Sequence, residues 1–217
     1  VPLQSVAGRD VWVSETGTGE TSRLLLHCML ADHRTWRPLE QALPPMRDIA
    51  FDLPGHGRSG EWDGAEYQTQ CVDTAASLLE TPTHVIGHSF GATVALRLAI
   101  ERPDLVSRLT LIEPVFFAAA RGTPEHAAHT RAFAPFVQAW EQGDQTAAAR
   151  IFIGMWGLGV PWEALAPRQQ ADLAARIHLI LDNYRIHKSK RTQIALDALS
   201  DKIELHFMTP YCTDQNK

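Results

Sequence analysis

Gly87-His88-Ser89-Phe90-Gly91 places a serine between two glycines, each two residues away. A serine hydroxyl becomes a useful nucleophile toward a carbonyl carbon when a base takes its proton and nearby donors stabilise the resulting oxyanion. The flanking sequence supplies a setting for that chemistry. His84–Gly87 reads as a short strand, and Phe90–Glu101 keeps helical spacing at Phe90, Val94, Ala95 and Leu98. A sharp strand-to-helix turn strains the serine backbone and pushes its Oγ out at the end of a sheet. Side chains two residues to either side would crowd that turn, which favours glycine. The helix then directs its first amides and its positive dipole end toward the developing negative charge. The same five residues also suit a plain turn in which Ser89 only caps the helix.

The elements that must position Ser89 alternate between two periodicities. Asp10–Ser14, Arg23–Met29, Ile49–Leu53, His84–Gly87 and Leu109–Ile112 read as strands. Trp36–Leu43, Glu66–Leu79 and Phe90–Glu101 read as helices between them. That alternation predicts an α/β fold, a doubly wound and mainly parallel sheet with helices on its faces. From residue 116 to 181 the texture changes to Ala-rich and aromatic helical stretches broken by Pro and Gly, which reads as a helical cap inserted into the core. The expected organisation is therefore a core over residues 1–115, a cap over 116–181 and a divergent or incomplete core segment over 182–217. Within that last segment, Ile203–Met208 reads as one more strand.

Two further segments carry a family resemblance together with the serine motif. His27-Cys28-Met29-Leu30 resembles the His-Gly-x oxyanion loop of the α/β-hydrolase superfamily. Asp52-Leu53-Pro54-Gly55-His56-Gly57-Arg58-Ser59 resembles the D-x-P-G-H-G-x-S loop of the same superfamily. Three motifs in the family's order are specific as a set, and the likeness runs over about residues 10–180. It implies that Ser89 is the nucleophile and that the backbone N–H groups of Met29 and Phe90 are the oxyanion donors. Serine at this position sets the chain apart from the haloalkane dehalogenases and epoxide hydrolases of the fold, which use aspartate there. The implied chemistry is acyl transfer to water from a small ester-like substrate through an acyl-enzyme, with no metal and no organic cofactor. The alternative is a catalytically impaired binding protein of the same fold or a truncated gene product.

The rest of the triad is harder to place. In this superfamily an acid and then a histidine follow the serine. Glu113, at the end of the next strand, and Asp214, after the possible last strand, are both candidates for the acid. His126, His129, His178, His187 and His206 follow Ser89, and none occupies the family's position for the base. A truncated or altered C-terminus, lacking the last strand and helix, is the expectation, along with association through the sheet edge this would expose. His27 and His56 read as organisers of their loops. Cys28 reads as a small packed residue, and the aromatics of the cap as its core.

Composition narrows the remaining classes. The 217 residues are 45% hydrophobic and 21% charged with a net charge of −5, an ordinary globular profile without the basic footprint of a nucleic-acid binder. Cys28, Cys71 and Cys212 fit neither a disulfide framework nor a zinc pattern. No apolar run approaches the roughly 20 residues needed to cross a bilayer. The expectations are a cytoplasmic location and a small-molecule substrate as partner, with neither nucleic acid nor membrane.

Overall fold

The computed structural model describes residues 3–157 and 160–180. Six strands, β1 (Leu3–Val6), β2 (Arg9–Thr16), β3 (Ser22–Leu26), β4 (Arg47–Phe51), β5 (Thr83–His88) and β6 (Val106–Ile112), form one sheet. Their spatial order is β1-β2-β4-β3-β5-β6. The β1–β2 and β2–β4 pairs are antiparallel, and β4, β3, β5 and β6 run parallel. The connections are α1 (Arg37–Ala42) from β3 to β4, α2 (Tyr67–Ser77) from β4 to β5 and α3 (Phe90–Glu101) from β5 to β6.

Alternation along the strands assigns the two faces. Leu24 and Leu26 of β3 join Phe51 and Val85 in a core with Tyr67, Cys71 and Ala75 of α2 and Phe90, Val94 and Leu98 of α3. Leu25, between them, points to the other face, where it packs with Ala50, Ile86, Trp36 and Leu39. Helices thus cover both faces, as expected for a doubly wound sheet.

Several boundaries differ from those the sequence suggests. β3 ends at Leu26, so the apolar run extends three residues past the strand. There His27 turns inward and its side chain takes up a loop amide, which makes His27-Cys28-Met29 loop structure. β4 likewise ends at Phe51; the Asp52 N–H still donates to the Trp12 carbonyl of β2, while its carboxylate turns to accept loop amides. β1 has no counterpart among the strands expected from sequence; it is short and half-exposed, and pairs with β2 through the turn at Ala7-Gly8, both in the left-handed region.

After β6 the chain forms α4 (Pro124–Glu141), α5 (Gln145–Trp156) and α6 (Pro167–Arg176). They share a second core of Phe133, Phe136, Ala148, Ala149, Trp162, Ala174, Ile177 and Ile180. The two cores meet at specific residues. Leu179 belongs to the sheet core, His178 stacks on Trp62 with ring centroids 5.8 Å apart, and Met29 packs against both clusters. The Ile203–Met208 strand expectation lies outside the described residues, as do Asp214, His187 and His206.

Candidate active site

The strand order singles out one place on the sheet. From β3 the chain crosses to β4 on one side; from β5 it crosses to β6 on the other. The carboxyl ends of β3 and β5 therefore flank a topological switch point, where open α/β sheets bind their ligands. The His27-Cys28-Met29-Leu30 loop leaves β3 there, and Ser89 leaves β5 beside it.

Ser89 sits between β5 and α3 at φ 54°, ψ −113°, a conformation an L-residue holds only when its surroundings impose it. Those surroundings are visible. The Ser89 N–H donates to the Ile112 carbonyl of β6 at 2.9 Å, and its own carbonyl accepts the Ala92 N–H at 3.1 Å. A Cβ on Gly87 would lie 2.6 Å from the Ala92 Cα, and one on Gly91 would lie 2.6 Å from the His27 carbonyl oxygen. Both glycines are thus required by close backbone approach, at either end of the turn. Ser89 holds the N-cap position of α3, yet its hydroxyl makes no capping hydrogen bond. Helix capping therefore does not account for the serine. Phe90 is the first residue of α3, and its ring is buried in the sheet core.

On the β3 side, Leu30 is a second non-glycine residue in the left-handed region, at φ 62°. Its N–H donates to His56 Nε2 at 2.9 Å, and the Ala31 N–H reaches back to the Cys28 carbonyl at 3.3 Å. Cys28 is half-buried, and burial raises its thiol pKa, which disfavours the thiolate. Glu113, at φ 46°, is a third such residue and follows directly on Ile112. Three of the four non-glycine residues with positive φ among the described residues thus lie just past the carboxyl ends of β3, β5 and β6.

The Glu113 carboxylate lies 3.6 Å from His88 Nε2, with the Glu113 side chain exposed and that of His88 partly buried. The first long helix after it, α4, is capped by Thr123, whose hydroxyl accepts the His126 N–H. The other described histidines after Ser89 lie in the helical segment. His126 is in the first turn of α4, His129 stacks on Phe117 at 4.1 Å, and the His178 Nδ1–H donates to the Ala175 carbonyl. No hydrogen bond joins any of them to Ser89 among the described residues.

The loop after β4 is organised around a fully buried Asp52. One carboxylate oxygen accepts the His33 N–H at 2.7 Å and faces His33 Nδ1 at 2.8 Å, while the other accepts the Arg58 N–H at 2.9 Å. Gly57, at φ 53°, lies so close that a Cβ there would run into the Asp52 carboxylate. Asp32, His33 and Asp52 bring three potential ligand atoms within 4.8 Å of one another. Their contacts to Arg34, to the His33 N–H and to the Arg58 N–H describe a loop clasp, with donors already in place.

The fold and this site together define a class. The chain belongs to the alpha/beta hydrolase family, whose model matches residues 24–208, most of its length. Among curated relatives, the lipase LipV of Mycobacterium tuberculosis is 38% identical over 110 residues, covering 48% of this chain and 42% of the relative. The pimeloyl-[acyl-carrier protein] methyl ester esterase of Cronobacter sakazakii is 32% identical over 114 residues, covering 51% and 44%. The chain thus spans less than half the length of these relatives. Among solved structures, a loop variant of the haloalkane dehalogenase DbeA from Bradyrhizobium elkanii superposes with a TM-score of 0.67 at 21% identity, covering 92% of this chain and 74% of that one. An alpha/beta hydrolase from Nostoc sp PCC 7120, ALR0039, gives 0.61 at 22% identity, covering 92% and 75%. At that identity the likeness establishes the fold. No helix among the described residues is long and apolar enough to cross a membrane.

Proposed function

We propose that this chain is a serine hydrolase that attacks a small ester-like carbonyl substrate through Ser89. The observation that carries this reading is the conformation of Ser89. It is held in the left-handed region between two close-packed glycines, at the N-terminus of α3, with a hydroxyl that caps nothing. Strain of about 1–3 kcal/mol persists at a residue only where the fold over-determines it, and it gathers at functional sites. In this reading the Met29 and Phe90 N–H groups receive the oxyanion, and the dipole of α3 adds to them. Glu113 is the acidic member that the described residues offer on the same rim. The relatives that act on lipids and on a methyl ester support an ester-like substrate class.

The second reading, a protein of this fold that binds without turnover, is favoured by one observation. None of the described histidines is hydrogen-bonded to Ser89, so a general base is not in place among them. One experiment separates the two. The full chain is mixed with p-nitrophenyl butyrate and followed by stopped flow, in parallel with labelling by a fluorophosphonate and mass spectrometry. Hydrolysis identifies Ser89 as the nucleophile when turnover is sustained and Ser89→Ala loses both turnover and label. Labelling of Ser89 followed by a single burst without turnover supports the binding reading. Turnover unchanged in Ser89→Ala would refute the assignment.

A further inference from the structure

The loops after β3 and β4 exchange hydrogen bonds through two buried imidazoles. His27, from the first loop, accepts the Leu53 N–H of the second at Nε2, 3.0 Å away. His56, from the second loop, accepts the Leu30 N–H of the first at Nε2, 2.9 Å away. The two rings lie 5.4 Å apart, centroid to centroid, and both residues are buried. Each Nδ1 faces a carbonyl oxygen, Cys28 O at 2.7 Å for His27 and Pro54 O at 2.9 Å for His56. A carbonyl only accepts, so each Nδ1 carries the proton and each Nε2 keeps a lone pair for the other loop's amide. Tyr67 strengthens the arrangement from α2, donating its hydroxyl to the Pro54 carbonyl at 2.8 Å.

We infer that His56 is a positioning residue for the proposed reaction: by accepting the Leu30 N–H it fixes the turn that holds the Met29 amide at the switch point. The inference rests on reading the Met29 N–H as an oxyanion donor. Its physical ground is that, among the described residues, few other directional bonds hold the Met29–Leu30 turn; the next anchor, from the His33 N–H to Asp52, lies three residues on. The internal bond from Ala31 to Cys28 is long, and Leu30 occupies a backbone conformation that a β-carbon disfavours. Apolar contacts of Met29 and Leu30 with the helical segment press on the loop without fixing its peptide planes. A directional bond to a rigid ring does fix them. The ring is itself aimed by its loop, since Gly55 and Gly57, on either side of His56, both take positive φ. Oxyanion donors act only when held near the developing charge beforehand, so freedom at Leu30 translates into loss at Met29.

The test compares His56→Gln, which places an amide oxygen about where Nε2 stood, with His56→Asn, which reaches only the Nδ1 side, and with His56→Leu. The readout is the acylation rate constant of Ser89 with p-nitrophenyl butyrate, per folded molecule, separated from the apparent binding constant by varying substrate. His56→Leu and His56→Asn should acylate at least about tenfold more slowly. The ceiling is the roughly 10²–10³-fold that follows loss of a whole oxyanion donor. Binding should change little, and His56→Gln should recover most of the rate. Equal acylation rates in all folded variants, with only the melting temperature lowered, would overturn the positioning role while leaving Ser89 as nucleophile. Failure of the wild-type chain to label at Ser89 would instead overturn the underlying reading and this inference with it. Nitrogen-15 spectra of the wild-type protein provide a check that needs no variant: a proton on His56 Nε2 would refute the bond to Leu30.

Discussion

The Ser89 amide donates to the Ile112 carbonyl across 2.9 Å, which ties the turn between β5 and α3 to the strand that delivers Glu113. Because β5 and β6 run parallel with His88 opposite Ile112, the residue after each strand emerges on the same rim. The relative placement of Ser89 and Glu113 is thus a property of the ladder, and loop sequence has little say in it. The proximity of His88 and Glu113 has the same origin.

That placement makes Glu113 testable with little risk to the fold. Its side chain is 67% exposed and its 3.6 Å approach to His88 is a surface contact, so replacement should move stability by no more than about 1 kcal/mol. Glu113→Gln is expected to melt within a few degrees of wild type while slowing ester turnover by up to the roughly 10⁴-fold that follows loss of the orienting acid in a serine triad. Wild-type turnover in this variant would remove Glu113 from the mechanism.

Glycine substitutions should separate tight packing from mere helix propensity. Gly91→Ala drives a Cβ against the backbone of β3 and His27, where no side chain can swing away. Overpacking of that kind costs about 1–3 kcal/mol, a fall of several degrees for a chain of this size. Gly154, exposed within α5, is the opposite case, since a methyl group there would meet no neighbour within 4 Å. Gly154→Ala should raise stability by about 0.5–1 kcal/mol. Differential scanning calorimetry of the two variants reads both signs; a stabilised Gly91→Ala would contradict the packing described for the turn.

How much of this is legible in the sequence follows from which interactions are local. The serine turn, the alternation of strands and helices and the helical segment after Glu113 are written in short-range patterns of glycine, apolar period and Pro breaks, and they can be read directly. The positive φ of Leu30 cannot. It is set by a bond to His56, 26 residues away, and by packing against a separate helical core, and leucine carries no signal for it. The strand ends at Leu26 and Phe51 escape the sequence for a related reason. Past Leu26 the chain continues through buried His27 and half-buried Cys28 and Met29, and past Phe51 through buried Asp52 and Leu53, so burial does not stop where the strand does and cannot mark its end. His27 and His56 are recognisable as loop organisers, while their exchange of partners emerges only in three dimensions.

Asp52 offers a test of the clasp that holds the second loop. Its carboxylate, itself fully buried, accepts from two backbone amides and faces His33 Nδ1. Asn at this position keeps one acceptor oxygen and turns an NH₂ toward a donor that can no longer be satisfied. A buried donor left unpaired costs roughly 1–3 kcal/mol, and more where the lost partner was charged. Asp52→Asn should therefore lower the denaturation midpoint without changing the denaturant slope. An unchanged midpoint would mean that the loop closes without this clasp.

Acid should act on the fold chiefly through His27 and His56, with partly buried His84 and His129, also lowered by burial, acting in the same direction. Burial, followed by the neighbouring His27 and then Arg176 and His178, pulls the His56 pKa down to about 3 against the opposing pull of the Pro54 carbonyl. Burial likewise lowers that of His27, against the Cys28 carbonyl and nearby Asp52. In the unfolded chain each would titrate near its ordinary value of about 6.5. The folded state therefore takes up protons later than the unfolded one, and the stability this represents is complete above about pH 6.5. For His56 it is lost as the pH falls toward 3, at about 1.4 kcal/mol per pH unit, and His27 adds to the loss in the same direction. Asp32, held at about 2 chiefly by its side-chain bonds to Arg34, acts in the same direction but only below about pH 3.8, so it leaves the interval from 6.5 to 5 to the histidines. Urea melts at pH 7.5, 6.0 and 5.0 should show a steady fall in unfolding free energy across that interval. The slope in His56→Gln should be smaller by about one proton. Folded His56 keeps its Nε2 lone pair through that interval, so acylation of Ser89 per folded molecule should hold while stability falls, and weaken only as the pH nears 3. Stability that stays level from pH 7.5 to 5.0 would show that these imidazoles are accessible to protons in the folded state, and the exchange of bonds between the two loops would then be wrong.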